Sequence, residues 1–227
     1  MQTPERETLA RFTRQTRAVP ARQDIAGEQA RETMIRVLMD GMACRYKMMP
    51  CGRRAVTGYV LPGEFLDLGV IATGKSSASV ASLTPCQIAE IPLAALTEVM
   101  GRPGVMRALL SAAIAESMIL REWLAHMGQE LSEKRVARLL CELRLRLERV
   151  GLFRNGDLEL PLTQEELGEA LGISTVHVNR VLQRLKIEGL IRLHGRTVTI
   201  PDVARLEAFA DFEPDYLRDP AADILAQ

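Results

Sequence analysis

The sequence predicts an α+β protein, with a β-rich N-terminal domain, one long helix, and a C-terminal domain of short helices followed by a hairpin. Three observations lead to this fold class. Short apolar segments alternate with Gly and Pro over the first hundred residues. Residues 105–127 contain neither Gly nor Pro, which favours one helix of about 23 residues. Residues 162–200 then carry helix caps, a Gly turn and two short β-prone segments.

The N-terminal domain is expected to be a small β-sandwich or barrel, because short strands separated by turn residues are typical of that architecture. Asp40-Gly41 lies between two apolar runs and predicts a β-hairpin. Residues 51–54, Cys-Gly-Arg-Arg, are a second turn candidate. A short polar helix is predicted before the first strand, over residues 4–17.

The long helix is predicted to pair along its length. Its stripe recurs in steps of four and three residues, the heptad spacing of helices that pack side by side. The stripe consists of Leu109, Ala113, Glu116, Leu120, Trp123 and Met127. An ordinary core helix stays open as an alternative, because the charged Glu116 interrupts the stripe. A second helix is predicted over residues 132–150.

Residues 162–187 have the pattern of a helix-turn-helix. Thr163 and Glu166 have the spacing of a capping box at the start of the first helix. Gly172 supplies the turn, and Ser174 is a suitable N-cap for the second helix. The small Gly168 allows the two helices to cross closely.

A basic hairpin wing is predicted after the second helix, with strands over residues 190–193 and 197–200. Helix, turn, helix and basic wing in this order predict DNA binding. The whole chain has 29 basic and 29 acidic residues and a formal net charge of +0. The charges are nevertheless segregated: residues 172–200 hold five basic and one acidic side chain, and residues 202–227 hold two basic and seven acidic ones.

On these residues the chain resembles the Crp/Fnr family of transcription regulators, over roughly residues 5–210. The matching stretches are residues 42–47, 52–54, 61–65, 134–140 and 162–200. The resemblance implies four regions: a double-stranded β-helix (jelly-roll) sensor domain of the cyclic-nucleotide-binding type (1–102), a long dimerisation helix (103–130), a winged helix-turn-helix (131–203) and an acidic C-terminal tail (204–227). It also implies a homodimer that binds double-stranded DNA and touches RNA polymerase through residues 151–160.

The resemblance places base reading on the second helix of the helix-turn-helix. The candidate base-reading residues are Thr175, Val176, His177, Asn179 and Arg180. Arg180 is the leading candidate, because a guanidinium can donate two hydrogen bonds to guanine; a phosphate clamp is its alternative role. Val176 stands where the family frequently has an acid, so the operator is expected to differ from well-known half-sites. The candidate phosphate contacts are Thr163, Gln164, Ser174, Arg184, Arg192 and Arg196.

The sensor domain departs from the family's cyclic-nucleotide binders, which carry Gly-Glu-Leu/Phe and, after a gap, Arg-Ser/Thr-Ala. This chain has Gly63-Glu64-Phe65 and then Ser76-Ser77-Ala78, so a serine replaces the arginine that neutralises the phosphate. Leu120 and Arg121 replace the pair that faces adenine. The loss of a charge-assisted phosphate contact predicts that cyclic AMP does not bind. No cofactor is predicted, and an unidentified small-molecule effector stays open.

Composition argues against several other classes of protein. The sequence has no apolar run of about 18 residues, so no membrane span is predicted. The N-terminus lacks a signal pattern. The four cysteines fit reduced thiols of a cytoplasmic protein. Residues 1–43 contain no Cys and residues 1–125 no His, which argues against an iron–sulfur cluster, a metal site and a metal-dependent barrel enzyme. A sensor module whose DNA binding is weak or lost is the alternative function.

Overall fold

The computed structural model describes residues 10–152, 157–159, 161–194 and 197–218. Within these residues the chain forms two compact units. The first unit holds Arg218 and the described residues up to 117 except 53–56. The second holds residues 53–56 together with the described part of 118–217. The division therefore falls inside the long helix, whereas the sequence suggested divisions at both ends of it.

Two antiparallel sheets build the first unit, with strand orders β1-β7-β3 and β2-β6-β4-β5. The strands are β1 Thr16–Val19, β2 Asp24–Ala26, β3 Met34–Asp40, β4 Ala43–Met48, β5 Arg54–Val60, β6 Ser79–Ser82 and β7 Cys86–Pro92. Fully buried side chains from both sheets, among them Leu38, Val60, Val80 and Ile88, form one core. The predicted β-rich domain is confirmed as two open sheets rather than a closed barrel. Two short helices complete it, α1 Gly69–Thr73 and α2 Leu93–Met100.

The turn at Asp40-Gly41 does not make the predicted hairpin. β3 pairs with β7 and β4 pairs with β6, so this turn carries the chain from one sheet to the other. Gly41 has φ +89°, and a Cβ at this position would lie 2.3 Å from the carbonyl oxygen of Pro85. The turn residues were identified correctly, but the pairing of the flanking strands was wrong, because alternating apolar patterns do not specify which sheet a strand joins.

Two other N-terminal expectations have different outcomes. The turn at Gly52 is confirmed, since it joins β4 to β5, which are neighbours in one sheet, and the Gly52 N–H donates to the Met49 carbonyl at 2.9 Å. Of the helix predicted over residues 4–17, only residues 10–12 are helical among those described, and β1 already begins at Thr16. Residues 4–9 lie outside the described part of the chain.

The long helix, α3 Pro103–Met127, has 25 residues, which confirms its prediction. Its outward stripe differs from the predicted one. Leu109 is buried in the first unit's core with Ile35 and Ile91, and Glu116 pairs with Arg45 at 3.4 Å. The outward stripe runs in steps of four and three residues through Met106, Leu110, Ala113, Ser117, Leu120, Leu124 and Met127, of which only Ser117 is half-buried.

By length and composition alone, α3 is long enough and apolar enough to cross a membrane, which the sequence analysis did not expect. Its most apolar 18-residue window has a mean hydropathy of 1.3 and is only 11% buried. A helix that pairs with a second helix in water needs a similar apolar surface. Composition therefore does not distinguish the two uses of this helix.

The second unit centres on helix α4, Ser132–Arg149. The remaining elements are β8 Asp157–Glu159, α5 Gln164–Leu171, α6 Thr175–Ile187, β9 Arg192–His194, β10 Thr197–Thr199, α7 Val203–Phe209 and a 3₁₀ helix Pro214–Leu217. The three strands form an antiparallel sheet of order β8-β10-β9. Strand β8 lies in the segment that the sequence suggested was a polar loop.

The region expected to be an acidic tail from residue 204 is folded at least as far as Leu217. Leu206, Phe212 and Tyr216 are buried, and α7 packs on α4. Two of its acids have basic partners: Glu207 pairs with Arg144 at 3.0 Å, and Asp211 pairs with Lys134. The segment therefore contributes to the core of the second unit.

Candidate DNA-binding interface

The first helix of the pair, α5, begins at the predicted capping box. The Thr163 hydroxyl oxygen accepts the N–H of Glu166 at 3.1 Å, and the Glu166 carboxylate accepts the N–H of Thr163 at 2.6 Å. Both bonds satisfy backbone donors that the helix itself leaves without partners. At the other end, Gly172 takes a left-handed conformation with φ +66°. Local sequence therefore defines both ends of α5, as predicted.

The two helices cross closely at Gly168. A Cβ on this residue would lie 2.6 Å from the carbonyl oxygen of Ile173, in the turn between the helices. That oxygen belongs to the backbone, so it cannot move aside without displacing the turn. A residue without a side chain at position 168 is therefore a condition for this crossing, as the sequence suggested.

Gly168→Ala is expected to lower the free energy of unfolding by about 1–3 kcal/mol, the usual cost of overpacking a tight contact. DNA binding should weaken with it, because the turn that positions α6 must shift. Chemical denaturation and a DNA titration measure the two effects. Gly101→Ala is the matched control, because a Cβ there meets nothing within 4 Å. Equal stability of the two variants would contradict this account of the crossing.

The second helix, α6, separates a buried face from an exposed one. Ser174 caps its start, with its hydroxyl oxygen accepting the N–H of His177 at 3.3 Å. The buried face holds Val178, Val181, Leu182 and Leu185. The exposed face holds four of the five candidate base readers, Thr175, Val176, Asn179 and Arg180. The packing of α6 therefore leaves these four side chains pointing away from the core.

The two arginines of α6 differ in their surroundings. Arg184 pairs with Glu133 at 3.0 Å and with Glu188 at 3.2 Å. Arg180 is exposed and makes no hydrogen bond or ion pair with any residue that the structure describes. Its guanidinium keeps all of its N–H donors for an external partner. The difference favours Arg180 as a base reader. Arg184, a candidate phosphate contact, is instead engaged by two carboxylates of the protein.

His177 and Asn179 both contact neighbouring elements. The His177 Nε2 atom lies 2.6 Å from the Ser132 hydroxyl oxygen at the start of α4, and His177 is half-buried. The Asn179 amide donates to the Gln164 side-chain oxygen at 3.2 Å, which links the exposed face of α6 to the start of α5. His177 is thereby held back from the exposed face.

The start of α4 supplies two residues that sequence reasoning missed. Ser132 contacts His177 and Glu133 contacts Arg184, so one turn of α4 holds two side chains of α6. The pKa of Glu133 is lowered, first by a hydrogen bond from its own backbone N–H and then by the Ser132 hydroxyl and the charge of Arg184. These contacts join residues about 45 positions apart, and no local pattern in the sequence indicates them.

The wing consists of β9 and β10, with β8 on the outer edge of β10. Arg192 and His194 are exposed on β9. Arg192 has no protein partner among the residues described, which leaves it available for a phosphate. The other predicted wing contact, Arg196, lies outside the described residues, as do residues 153–156 and 160 of the segment proposed to touch RNA polymerase.

The family resemblance makes seven residues candidates for binding an effector: Gly63, Glu64, Phe65, Ser76, Ser77, Leu120 and Arg121. Those in the first unit have separate partners. The Glu64 carboxylate accepts the N–H of Leu61 at 3.1 Å and so closes its own turn, and Phe65 packs against the core. Ser76 and Ser77 instead bond to Asp67, a residue the sequence analysis did not single out. Gly63 is in the left-handed region with φ +89°. Leu120 and Arg121 are exposed on α3 and belong to the second unit.

The cysteines have no arrangement suited to a metal. Within the described residues no three His, Cys, Asp or Glu side chains are grouped so that they could hold an ion. None of the four cysteines is in a disulfide; Cys51 is exposed and the other three are buried. Burial raises the pKa of the Cys141 thiol to about 12, so it stays protonated and unreactive at neutral pH.

Comparison with known families matches both halves of the chain. Residues 134–209 match the Crp-like helix-turn-helix domain, and residues 16–102 match the cyclic nucleotide-binding domain. The nitrogen fixation regulation protein FixK of Bradyrhizobium diazoefficiens is 30% identical over 175 residues, which cover 76% of this chain and 72% of FixK. The transcriptional activator protein FnrL of Cereibacter sphaeroides is 31% identical over 175 residues, covering 74% and 69% of the two chains.

Solved structures of similar proteins share the fold. FixK2 from Bradyrhizobium japonicum has a TM-score of 0.76 at 21% identity, over 86% of this chain and 96% of FixK2. The regulator CLP of Xanthomonas campestris, described as responsive to c-di-GMP, has a TM-score of 0.70 at 19% identity, over 88% and 99% of the chains. At these identities the likeness concerns the fold, and it extends over both units of the chain.

Proposed function

Since this chain belongs to the Crp/Fnr family of transcription regulators and carries its helix-turn-helix domain, we propose that it binds a near-palindromic operator as a homodimer, through the exposed face of α6. DNA binding and transcription regulation follow from the family. The operator, the dimer and the individual contacts are the proposed part. The observation that carries it is the exposed guanidinium of Arg180, which no described residue engages.

Base reading is assigned to the N-terminal half of α6. A recognition helix presents this end to base edges in the major groove. Arg180 donates two hydrogen bonds to guanine O6 and N7, the pairing that its planar fork allows. Val176, which is 71% exposed, offers only methyl groups and suits the methyl of thymine. Asn179 and Thr175 complete the reading surface beside them.

Phosphate contacts are assigned to the starts of α5 and α6 and to the wing. Thr163 and Ser174 use their hydroxyl oxygens as acceptors in helix caps, so each hydroxyl hydrogen stays available for a phosphate oxygen. Unpaired N–H groups at a helix start attract the same anion. Gln164 lies at the start of α5, and Arg192 lies in the wing. These contacts position the protein on DNA without reading its sequence.

Selection of bound genomic fragments, followed by sequencing, tests this proposal directly. The expected result is a near-palindromic operator whose half-sites lie about 34 Å apart, one turn of the double helix. A single asymmetric half-site would contradict the dimeric reading. Fragments enriched no more than random DNA would instead favour the alternative function, a sensor module whose DNA binding is weak or lost.

The homodimer is assigned to the exposed stripe of α3. Leu110 and Leu124 are 57% and 72% exposed, and Met106, Leu120 and Met127 are 43–50% exposed. Their heptad spacing places them on one side of the helix, so a second copy can cover all of them at once. An apolar surface of this extent is rare on a protein that stays monomeric in water.

Leu124→Glu is expected to weaken dimerisation by about 100-fold or more, because it removes a leucine that the proposed dimer buries and places a charge in an apolar contact. Sedimentation at several protein concentrations measures the monomer–dimer equilibrium. Ala125→Glu is the matched control, since Ala125 is also exposed but lies off the stripe. If both variants dimerise like the unmodified protein, the α3 stripe is not the interface.

Three further assignments complete the proposal. Members of this family are transcription regulators and not enzymes, and we assign this chain no catalytic role and no resident cofactor. A cytoplasmic location accords with a target on genomic DNA. RNA polymerase is proposed as a partner through residues 151–160, on the family resemblance.

A further inference from the structure

The first unit contains a site for an anion that the protein fills with a side chain of its own. We propose that the Asp67 carboxylate is the resident ligand of an anion cradle formed by Gly69, Ser76 and Ser77, and that it excludes anionic effectors from this place. The inference concerns the first unit alone, and it does not depend on the operator or the dimer proposed above.

Four hydrogen bonds converge on the two oxygens of Asp67. The Gly69 N–H and the Ser77 hydroxyl each donate to Oδ1 at 2.8 Å. The Ser77 N–H donates to Oδ2 at 2.5 Å, and the Ser76 hydroxyl donates to the same atom at 3.0 Å. Two backbone N–H groups and two hydroxyls, all aimed at one point, are a donor set that suits a carboxylate or a phosphate oxygen pair.

The surroundings show that the cradle is built for a negative charge. Asp67 is 6% exposed and Ser76 is 1% exposed. No lysine or arginine pairs with Asp67 in the part of the chain that the structure describes. The carboxylate is therefore stabilised by hydrogen-bond donors alone. Removing it would leave the Gly69 and Ser77 donors without this acceptor, whereas the Ser76 hydroxyl also lies 3.1 Å from the Ala78 carbonyl oxygen.

The atoms of the cradle are closely packed around the Asp67 carboxylate at Gly69. A Cβ on Gly69 would lie 3.0 Å from the Asp67 Oδ1 atom and 3.0 Å from the Ser77 Cβ atom. An incoming phosphate or carboxylate would meet occupied donors and a like charge at close range, both of which oppose binding. In this sensor domain Ser76 stands where cyclic-nucleotide binders have arginine. The cradle accounts for the difference, because the anion that it holds is the Asp67 carboxylate of the chain itself.

The cradle also fixes a loop. Asp67 precedes α1, whereas Ser76 and Ser77 lie just before β6, so the carboxylate ties the two ends of residues 67–77 together. In a ligand-dependent sensor a bound anion would have to supply this link. Here the link is covalently part of the chain, and the loop is closed without any small molecule.

Chemical rescue of Asp67→Ala tests the proposal in the full-length protein. We expect the variant to unfold at a temperature about 5 °C lower, because the donors from Gly69, Ser76 and Ser77 lose this acceptor. Sodium formate, a free carboxylate that fits the vacated space, should raise the unfolding temperature of Asp67→Ala more than sodium chloride of equal ionic strength. The unmodified protein and Glu98→Ala, which removes an exposed carboxylate of the same unit, should show no such difference.

Two results would overturn the proposal. One is an Asp67→Ala variant that is as stable as the unmodified protein, or that responds to formate no more than Glu98→Ala does. The other concerns anion binding by the unmodified protein. If it binds inorganic phosphate or cyclic AMP, and Asp67→Asn, similar in size but uncharged, binds with the same affinity, then the charge of Asp67 does not exclude anions. The second measurement begins with the unmodified protein, so it keeps the proposal testable if Asp67→Ala fails to fold.

Discussion

Arg180→Ala is expected to weaken binding to the selected operator by about 5- to 150-fold, equivalent to about 1–3 kcal/mol, and to remove the base preference at one position of each half-site. The reason is structural: Arg180 is exposed and has no protein partner among the described residues, so its guanidinium is available to DNA. Titration of the operator and of a random duplex, at one fixed salt concentration, measures both effects.

Arg180→Lys distinguishes base reading from a phosphate clamp. Lysine keeps the positive charge but lacks the planar pair of donors, so base preference should fall while non-specific binding is retained. Lys186→Ala is a control for charge, because Lys186 is exposed on the last turn of α6, away from the end proposed to read bases. Equal losses on operator and random duplex for Arg180→Ala would assign Arg180 to a phosphate.

Glu142→Ala is expected to lower the free energy of unfolding of the second unit by about 3–5 kcal/mol, the usual cost of removing one member of a buried ion pair. Glu142 is 1% exposed. Its carboxylate accepts hydrogen bonds from Arg146 at 2.9 Å, the Trp123 indole at 2.8 Å and the Tyr216 hydroxyl at 3.1 Å. The variant leaves a buried guanidinium without this charge partner and two further donors without an acceptor.

The Tyr216 hydroxyl remains a hydrogen-bond donor to Glu142 at neutral pH. Burial, and next the negative charge of Glu142, raise the pKa of the Tyr216 hydroxyl, so it stays protonated and remains a donor. Glu142 thus joins three elements of the second unit: Trp123 on α3, Arg146 on its own helix α4, and Tyr216 in the 3₁₀ helix. Its loss should loosen all three together.

Trp123 provides a direct signal for this experiment, since it is the single tryptophan of the chain and belongs to the network. Denaturant unfolding followed by its fluorescence measures the stability of the second unit. Glu148→Ala is the matched control on the same helix: Glu148 pairs with Arg144 at 2.8 Å, but its side chain is 52% exposed. Arg144 keeps its second partner, Glu207, when Glu148 is removed, and an exposed carboxylate contributes about 0–1 kcal/mol through an ion pair. Similar losses in both variants would therefore contradict the prediction.

The helix-turn-helix could be predicted almost residue by residue, because its determinants act over three or four positions. The Thr163 cap bonds to Glu166, Gly172 provides a left-handed turn, and Ser174 bonds to the backbone of His177. The long helix was predicted as reliably, since the absence of Gly and Pro is a local property. Its outward stripe was not, because Leu109 packs into the core and Glu116 pairs with Arg45, and both contacts are with strands far away in the chain.

Local chemistry in the sequence was thus sufficient for the long helix, the caps and turns of the helix-turn-helix and the exposed face of α6. Tertiary structure alone decided which strands pair across the Asp40-Gly41 turn, which acid meets Ser76 and Ser77, and how α4 holds His177. The physical reason is the same in each case. These contacts join groups from 9 to more than 40 residues apart, and their partners are selected by the packing of whole sheets and helices, which no short pattern records.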